Sequence, residues 1–137
     1  MVEGELRIGF FRDFKGQDSL LLSGDAAAHK RLLDICESLS SGALDRVRFQ
    51  DLPFVRVFGV VSLIAERSPE SSGLQFASDG QGFIWRLSGE DWKDVALRIA
   101  PLLHGGRGHQ YFDYLGVQDD VQIIVSTGEY EEQWWQR

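Results

Sequence analysis

The chain has 137 residues, a formal net charge of −7, and 43% hydrophobic against 26% charged residues. A chain of this length forms one domain with its own core, and its single cysteine excludes an intramolecular disulfide. The acidic balance argues against a nucleic-acid binder, since phosphate backbones attract basic surfaces, and it favours a basic partner instead.

Two strands are predicted at the start of the chain. Residues 5–11 place Leu6, Ile8 and Phe10 on one face, which is the period of a half-buried strand. A short apolar strand over residues 19–22 follows. The chain therefore begins with two strands before its first helix.

Ser23 and Asp25 predict the start of that helix. Each offers a side-chain oxygen to the free amides of a first turn, and the carboxylate also suits the positive end of the helix dipole. Apolar residues then recur at helical spacing as far as Leu39. Cys36 lies within this apolar stripe, so we interpret its thiol as a small core group. A reactive thiol is the alternative.

Two more strands complete the first half. Residues 46–51 alternate apolar and polar side chains. Residues 54–66 predict one long strand that is apolar on both faces, which is typical of a central strand or of an interface. In the second case the protein would form a homodimer through this strand. The serine-rich segment 67–73 is the predicted linker to the second half.

The second half begins with a predicted hairpin. Asp79-Gly80 favours a tight turn, because both central residues of that turn need positive φ. The turn joins strands over residues 74–78 and 82–87. Two further strands, over residues 109–114 and 121–126, precede the tail.

A second helix lies between these two pairs of strands. Ser88 lies at its start, and Trp92 begins a clear apolar stripe. Pro101 lacks an amide hydrogen and clashes with the preceding turn, so the helix kinks or stops near Ala100. The second half thus repeats the order of the first.

The repeated order predicts the fold. Leu-Ser-Gly-Asp at 22–25 matches Leu-Ser-Gly-Glu at 87–90, and later strands match at a nearly constant offset, with Asp51 against Asp113 and Leu63 against Val125. We predict one α+β domain over residues 1–137. Its two tandem ββαββ units, at about 4–67 and 74–127, form one mixed, largely antiparallel sheet with two helices packed on it. Two unrelated units with similar local patterns are the alternative.

One predicted strand carries a candidate ligand or catalytic site. His109, Tyr111 and Asp113 alternate along it, so their side chains share a face. A histidine and a carboxylate on one face can share a proton or begin a metal site. The matching residues Val47 and Phe49 in the first half instead indicate a core-facing strand. No other histidine has supporting spacing, so we expect neither a metal nor a cofactor.

The tail, residues 128–137, is acidic and aromatic. Chain ends usually fray, so large aromatic residues there either pack on the domain or contact a partner. Aromatic and charged side chains together are typical of protein-binding surfaces. A tail folded onto its own domain is the alternative. The candidate partner-binding residues are Glu129, Tyr130, Glu131, Glu132, Trp134 and Trp135.

The chain also predicts where the protein is found. No apolar stretch approaches the length of about 20 residues that a membrane span requires. The first residues carry Glu3 and Glu5 and lack the apolar run of a signal peptide. Both observations favour a cytoplasmic protein without membrane contact.

Several segments resemble those of small bacterial proteins. Leu-Leu-Ser-Gly-Asp at 21–25, the leucine-spaced helix after it, and Val-Arg-Phe-Gln-Asp-Leu-Pro at 47–53 resemble immunity proteins of polymorphic toxin systems. This resemblance covers about residues 20–65. The closing segments 108–114 and 124–130 resemble uncharacterised bacterial proteins of similar length. The first resemblance implies a cytoplasmic inhibitor that binds a toxin and has no catalytic residues.

The function that these features favour is a non-enzymatic, cytoplasmic protein-binding module. The resemblance narrows it to an immunity-like inhibitor of a basic toxin. The alternative is a small-molecule- or metal-binding enzyme that uses His109, Tyr111 and Asp113.

Overall fold

The computed structural model describes residues 3–14, 16–59, 62–77, 82–104, 108–112, 121–127 and Trp135. The α-helices of these residues are α1 (Ala26–Ser41) and α2 (Gly89–Ile99). Two 3-10 helices span Phe49–Asp51 and Ala100–His104. The strands are β1 (Leu6–Phe14), β2 (Gln17–Ser23), β3 (Arg46–Arg48), β4 (Val55–Val57), β5 (Ser62–Arg67), β6 (Gly73–Phe76), β7 (Gly82–Leu87), β8 (Gly108–Tyr111) and β9 (Gln122–Thr127).

The strands form two sheets, which corrects the prediction of a single one. One sheet has the order β4-β1-β2-β9-β8, and the other has the order β3-β5-β7-β6. Four of the strand pairs are antiparallel and three are parallel. The α+β class is confirmed, and the pairing is mixed as expected.

The strand predicted over residues 54–66 is in fact two strands. β4 ends at Val57 and β5 begins at Ser62. Gly59 lies between them with a φ of +76°, a conformation that glycine adopts without steric cost. β4 lies at the edge of one sheet, whereas β5 lies inside the other. The two-faced strand from which a homodimer was predicted is therefore absent.

Each sheet combines strands from both halves of the chain. The parallel pair β2 and β9 joins the halves in the five-stranded sheet, and the parallel pair β5 and β7 joins them in the four-stranded sheet. In both pairs, the strand that precedes a helix lies beside the last strand of the other half. Two ββαββ units that exchange hairpins would give this arrangement, while the tandem duplication itself stays a prediction.

Both helices begin at predicted capping residues. A side-chain oxygen of Asp25 accepts a hydrogen bond from the amide of Ala28 at 2.9 Å. The hydroxyl of Ser88 accepts one from the amide of Asp91 at 3.2 Å. Asp25 rather than Ser23 caps α1. An alignment of the two helices on their capping residues therefore pairs Asp25 with Ser88, two residues away from the sequence match of Ser23 with Ser88.

Each helix is joined to a strand by the ring N–H of a side chain at the same helix position. In both cases the strand is the last one of the other half of the chain. The fourth residue after the N-cap is His29 in α1 and Trp92 in α2. His29 Nε2 lies 2.6 Å from the carbonyl oxygen of Ser126 on β9. Trp92 Nε1 donates to the carbonyl oxygen of Glu66 on β5 at 2.9 Å. The two halves are therefore held together by equivalent contacts.

One hydrophobic core joins both sheets and both helices. Trp85 of β7 lies within it, and its ring centroid is 4.9 Å from that of Trp92 and 5.9 Å from that of Phe112. Cys36 belongs to the same core and is 1% exposed, and burial raises the pKa of its thiol to about 12. The prediction that this thiol is a core group is confirmed.

Candidate functional site

Trp135 is the one residue of the tail that the structure describes, and it is 4% exposed. Its indole belongs to a small apolar cluster with Leu21 and Ile124 on the outer face of the five-stranded sheet. Its ring centroid lies 5.6 Å from that of Phe11 and 4.9 Å from that of Phe58. At this residue the tail folds back on its own domain, which was the alternative interpretation.

Gly9 of β1 provides the space for this indole. A Cβ atom at Gly9 would lie 3.0 Å from Trp135 Cζ3 and 2.9 Å from Phe11 Cε2. A larger residue would therefore push one or both rings away. Gly9 was not among the residues predicted from the sequence, although a glycine inside an alternating strand often marks a close approach by another group.

The other candidate residues of the tail lie outside the described residues. Their role in binding a partner stays a prediction. Because the indole of Trp135 is buried, it would have to leave the sheet before it could contact a partner. The five residues are Glu129, Tyr130, Glu131, Glu132 and Trp134.

The structure brings His109 and Tyr111 together on β8, at the edge of the five-stranded sheet. Their ring centroids lie 4.9 Å apart with the planes at 80°. His109 is exposed and Tyr111 half-buried, whereas the next residue, Phe112, is fully buried. The prediction that His109 and Tyr111 lie on the core side of their strand is thus wrong. Their side chains lie on the outer side, because Phe112 enters the core. Asp113 lies outside the described residues, so the site of the predicted enzyme stays a prediction.

Two properties of the described ranges bear on a membrane or metal site. None of the helices there is long and apolar enough to cross a membrane. In the same ranges, no three His, Cys, Asp or Glu side chains are grouped so that they could hold a metal ion. Two of the pockets on the described surface are candidate sites.

The first pocket is a groove between α1 and α2 with a volume of about 380 Å³. Ala96 and Ala100 lie four residues apart, on one side of the helical turn, so their small side chains leave the wall concave. Leu33 packs against the core from α1 and supplies further apolar surface. The groove is lined by Leu33, Glu37, Ser40, Lys93, Ala96, Leu97 and Ala100.

Leu97 is the most exposed large hydrophobic residue in the described part of the chain, at 64%. It lies outside the apolar stripe of α2, whose buried residues are Trp92, Val95, Ala96 and Ile99. Leu97 was not among the residues predicted from the sequence. Its signal is an apolar residue on the face of an amphipathic helix that is otherwise polar.

Glu37 and Lys93 place opposite charges on the groove. Neither side chain forms a salt bridge with any residue that the structure describes. Nearby charges on the helix surfaces do pair, since Lys30 Nζ lies 2.7 Å from Asp34. The groove therefore offers one carboxylate and one ammonium beside an apolar floor.

The second pocket, about 320 Å³, lies where α1 meets the starts of β1 and β4. It is more polar than the groove, because four of its residues are charged. Its lining consists of Glu3, Gly4, Glu5, Arg31, Pro53, Phe54, Val55 and Arg56.

Comparisons of the chain with protein-family models, curated proteins and solved structures give no match. The resemblance of residues 20–65 to immunity proteins thus stays a prediction. A proposal for the function therefore rests on the surfaces of the protein itself. Of the two pockets, the groove between the helices is the more apolar.

Proposed function

We propose that this protein is a non-enzymatic protein-binding module and that the groove between α1 and α2 receives an apolar side chain of its partner. The exposure of Leu97, at 64% beside a concave apolar surface, carries the proposal. Shallow helical grooves with exposed apolar residues are a recurring way in which proteins receive an amphipathic segment.

Burial of Leu97 by the partner would contribute to the free energy of binding. Full burial of a leucine side chain contributes about 1.5–3 kcal/mol, so burial of its exposed two-thirds contributes about 1–2 kcal/mol. A contribution of about 1.4 kcal/mol changes a dissociation constant tenfold. The pocket beside Leu97 has room for an apolar side chain of the partner.

Charge supports a basic partner. The net charge of −7 attracts a basic protein over long range. At the groove itself, Glu37 is available to pair with a lysine or arginine next to the apolar anchor. The proposed partner segment is thus an amphipathic helix with one apolar side chain and neighbouring basic residues.

The resemblance to immunity proteins supports a narrower form of the proposal. In that form the partner is a basic toxin, and the protein is its cytoplasmic inhibitor. Inhibition by binding needs no catalytic residue, and the groove offers binding surface without one.

The experiment that tests the proposal compares three baits in affinity capture from a lysate of the source organism. They are the unchanged protein, Leu97→Lys, and Leu44→Lys as a matched control at a leucine that is 39% exposed and does not line the groove. We expect the unchanged protein and Leu44→Lys to capture the same partner and Leu97→Lys to lose it. A partner retained by all three baits would contradict the groove, and no specific partner for any bait would contradict the binding function.

A further inference from the structure

Arg31 of α1 is held in place by an aromatic ring. Its guanidinium carbon lies 5.3 Å from the centroid of Phe54. It also lies against Gly4, where a Cβ atom would be 3.6 Å from Arg31 Nη1. Stacking of this kind orients a guanidinium while leaving its in-plane N–H donors available.

Arg31 forms no salt bridge or side-chain hydrogen bond with any residue in the described ranges. The neighbouring carboxylate of Asp25 instead accepts hydrogen bonds from two backbone amides, one of them that of Gly4 at 2.9 Å. Glu5 Oε1 lies 3.6 Å from Arg7 Nε and 3.8 Å from Arg56 Nη1. Two of the acidic residues near Arg31, Asp25 and Glu5, therefore have other partners.

The pocket that Arg31 lines carries two guanidinium groups and two carboxylates. Arg31 and Arg56 line it together with Glu3 and Glu5. Arg7 adds a third guanidinium beside Glu5 and is 1% exposed. This local balance of charge contrasts with the net charge of −7 for the whole chain.

We propose that this pocket binds an oxyanion, with Arg31 as the principal donor and Arg56 beside it. A guanidinium matches the oxygens of a carboxylate or of a phosphate monoester with two parallel N–H···O bonds. Pro53 and Phe54 give apolar surface to the group that carries the anion. The site is separate from the groove between the helices and does not depend on the function proposed for that groove.

NMR titration at constant ionic strength tests this site. Acetate and N-acetylglutamate form the carboxylate arm, and inorganic phosphate and phenyl phosphate form the phosphate arm. We expect saturable shifts at the Nε–H of Arg31 and at the amides of Gly4 and Val55, which line the pocket. The arm that saturates at the lower concentration identifies the source of the oxyanion.

Three variants separate a specific site from a general charge effect. Arg31→Gln should abolish the saturable shifts, and Arg31→Lys should weaken binding several-fold because an ammonium lacks the paired donors. Arg98→Gln, at an exposed arginine on α2 whose Nε is 3.4 Å from Asp94, should leave binding unchanged. Absence of saturation in both arms, or equal shifts in Arg31→Gln, would overturn the proposal.

Discussion

His29 Nε2 lies 2.6 Å from the carbonyl oxygen of Ser126, and the His29 side chain is 0% exposed. A carbonyl oxygen only accepts hydrogen bonds, so Nε2 carries the proton of the neutral ring. Burial lowers the pKa of His29, and the opposing effects of the Ser126 carbonyl and of Asp25 are smaller. The ring that joins α1 to β9 is therefore kept neutral by its burial and not by the hydrogen bond to Ser126.

This histidine should make the protein less stable in acid. Folded His29 has a pKa below its usual 6.5, so below about pH 6.5 the unfolded chain binds a proton that the folded chain does not. The free energy of unfolding is unaffected by this group above that pH. It falls as the pH decreases, by at most about 1.4 kcal/mol per pH unit.

Urea denaturation at pH 7 and pH 5.5 measures this loss. His29→Gln keeps a donor for Ser126 but cannot titrate, so it should lose less stability between the two pH values. An equal loss in His29→Gln would assign the pH dependence to other groups.

Trp92 should stabilise the fold through the hydrogen bond of its ring N–H as well as through the packing of its ring. Trp92→Phe removes the donor to Glu66, and we expect it to cost about 1 kcal/mol more than the loss of ring volume alone. Trp85→Phe is the matched control, because Trp85 Nε1 is buried and has no hydrogen-bond partner in the structure described above. Thermal or urea unfolding of both variants gives the comparison, and equal costs would contradict a contribution from the hydrogen bond.

The packing of Trp135 on Gly9 predicts coupling between the two positions. Trp135→Ala should cost about 3–5 kcal/mol, as for other buried tryptophans. Gly9→Ala should cost about 1–3 kcal/mol because its Cβ atom crowds the indole and Phe11. Gly9→Ala should cost at least about 0.5 kcal/mol less free energy of unfolding in the Trp135→Ala background than in the unchanged protein. Additive costs in urea denaturation would show that the indole does not lie on Gly9 in solution.

Local chemistry made several elements predictable. The capping side chains of Asp25 and Ser88 act within one turn, so the helix starts follow from sequence alone. Pro101 likewise marks the change from α2 to a 3-10 helix. The pairing of strands is not local, and an apolar run such as residues 54–66 does not state which sheet it joins. The positive φ of Gly59, which separates β4 from β5, becomes evident only in the fold.

The candidate sites also combine local features that the sequence predicts with features that only the fold reveals. His109 and Tyr111 share a face because alternation along a strand is a local property. Which face points outward depends on Phe112 and on the core that it enters. Leu97 has a signal in the sequence of α2, but the groove beside it is formed only where α1 lies against α2.

The affinity of the captured partner tests the central claim, binding in the groove between α1 and α2, most directly. Isothermal titration calorimetry would compare the unchanged protein, Leu97→Lys and Leu44→Lys. Both leucines are exposed, so both variants should keep the free energy of unfolding within about 0.5 kcal/mol. We predict that Leu97→Lys weakens binding at least about tenfold, whereas Leu44→Lys changes it by less than about twofold. A Leu97→Lys variant that binds as tightly as the unchanged protein would contradict the account.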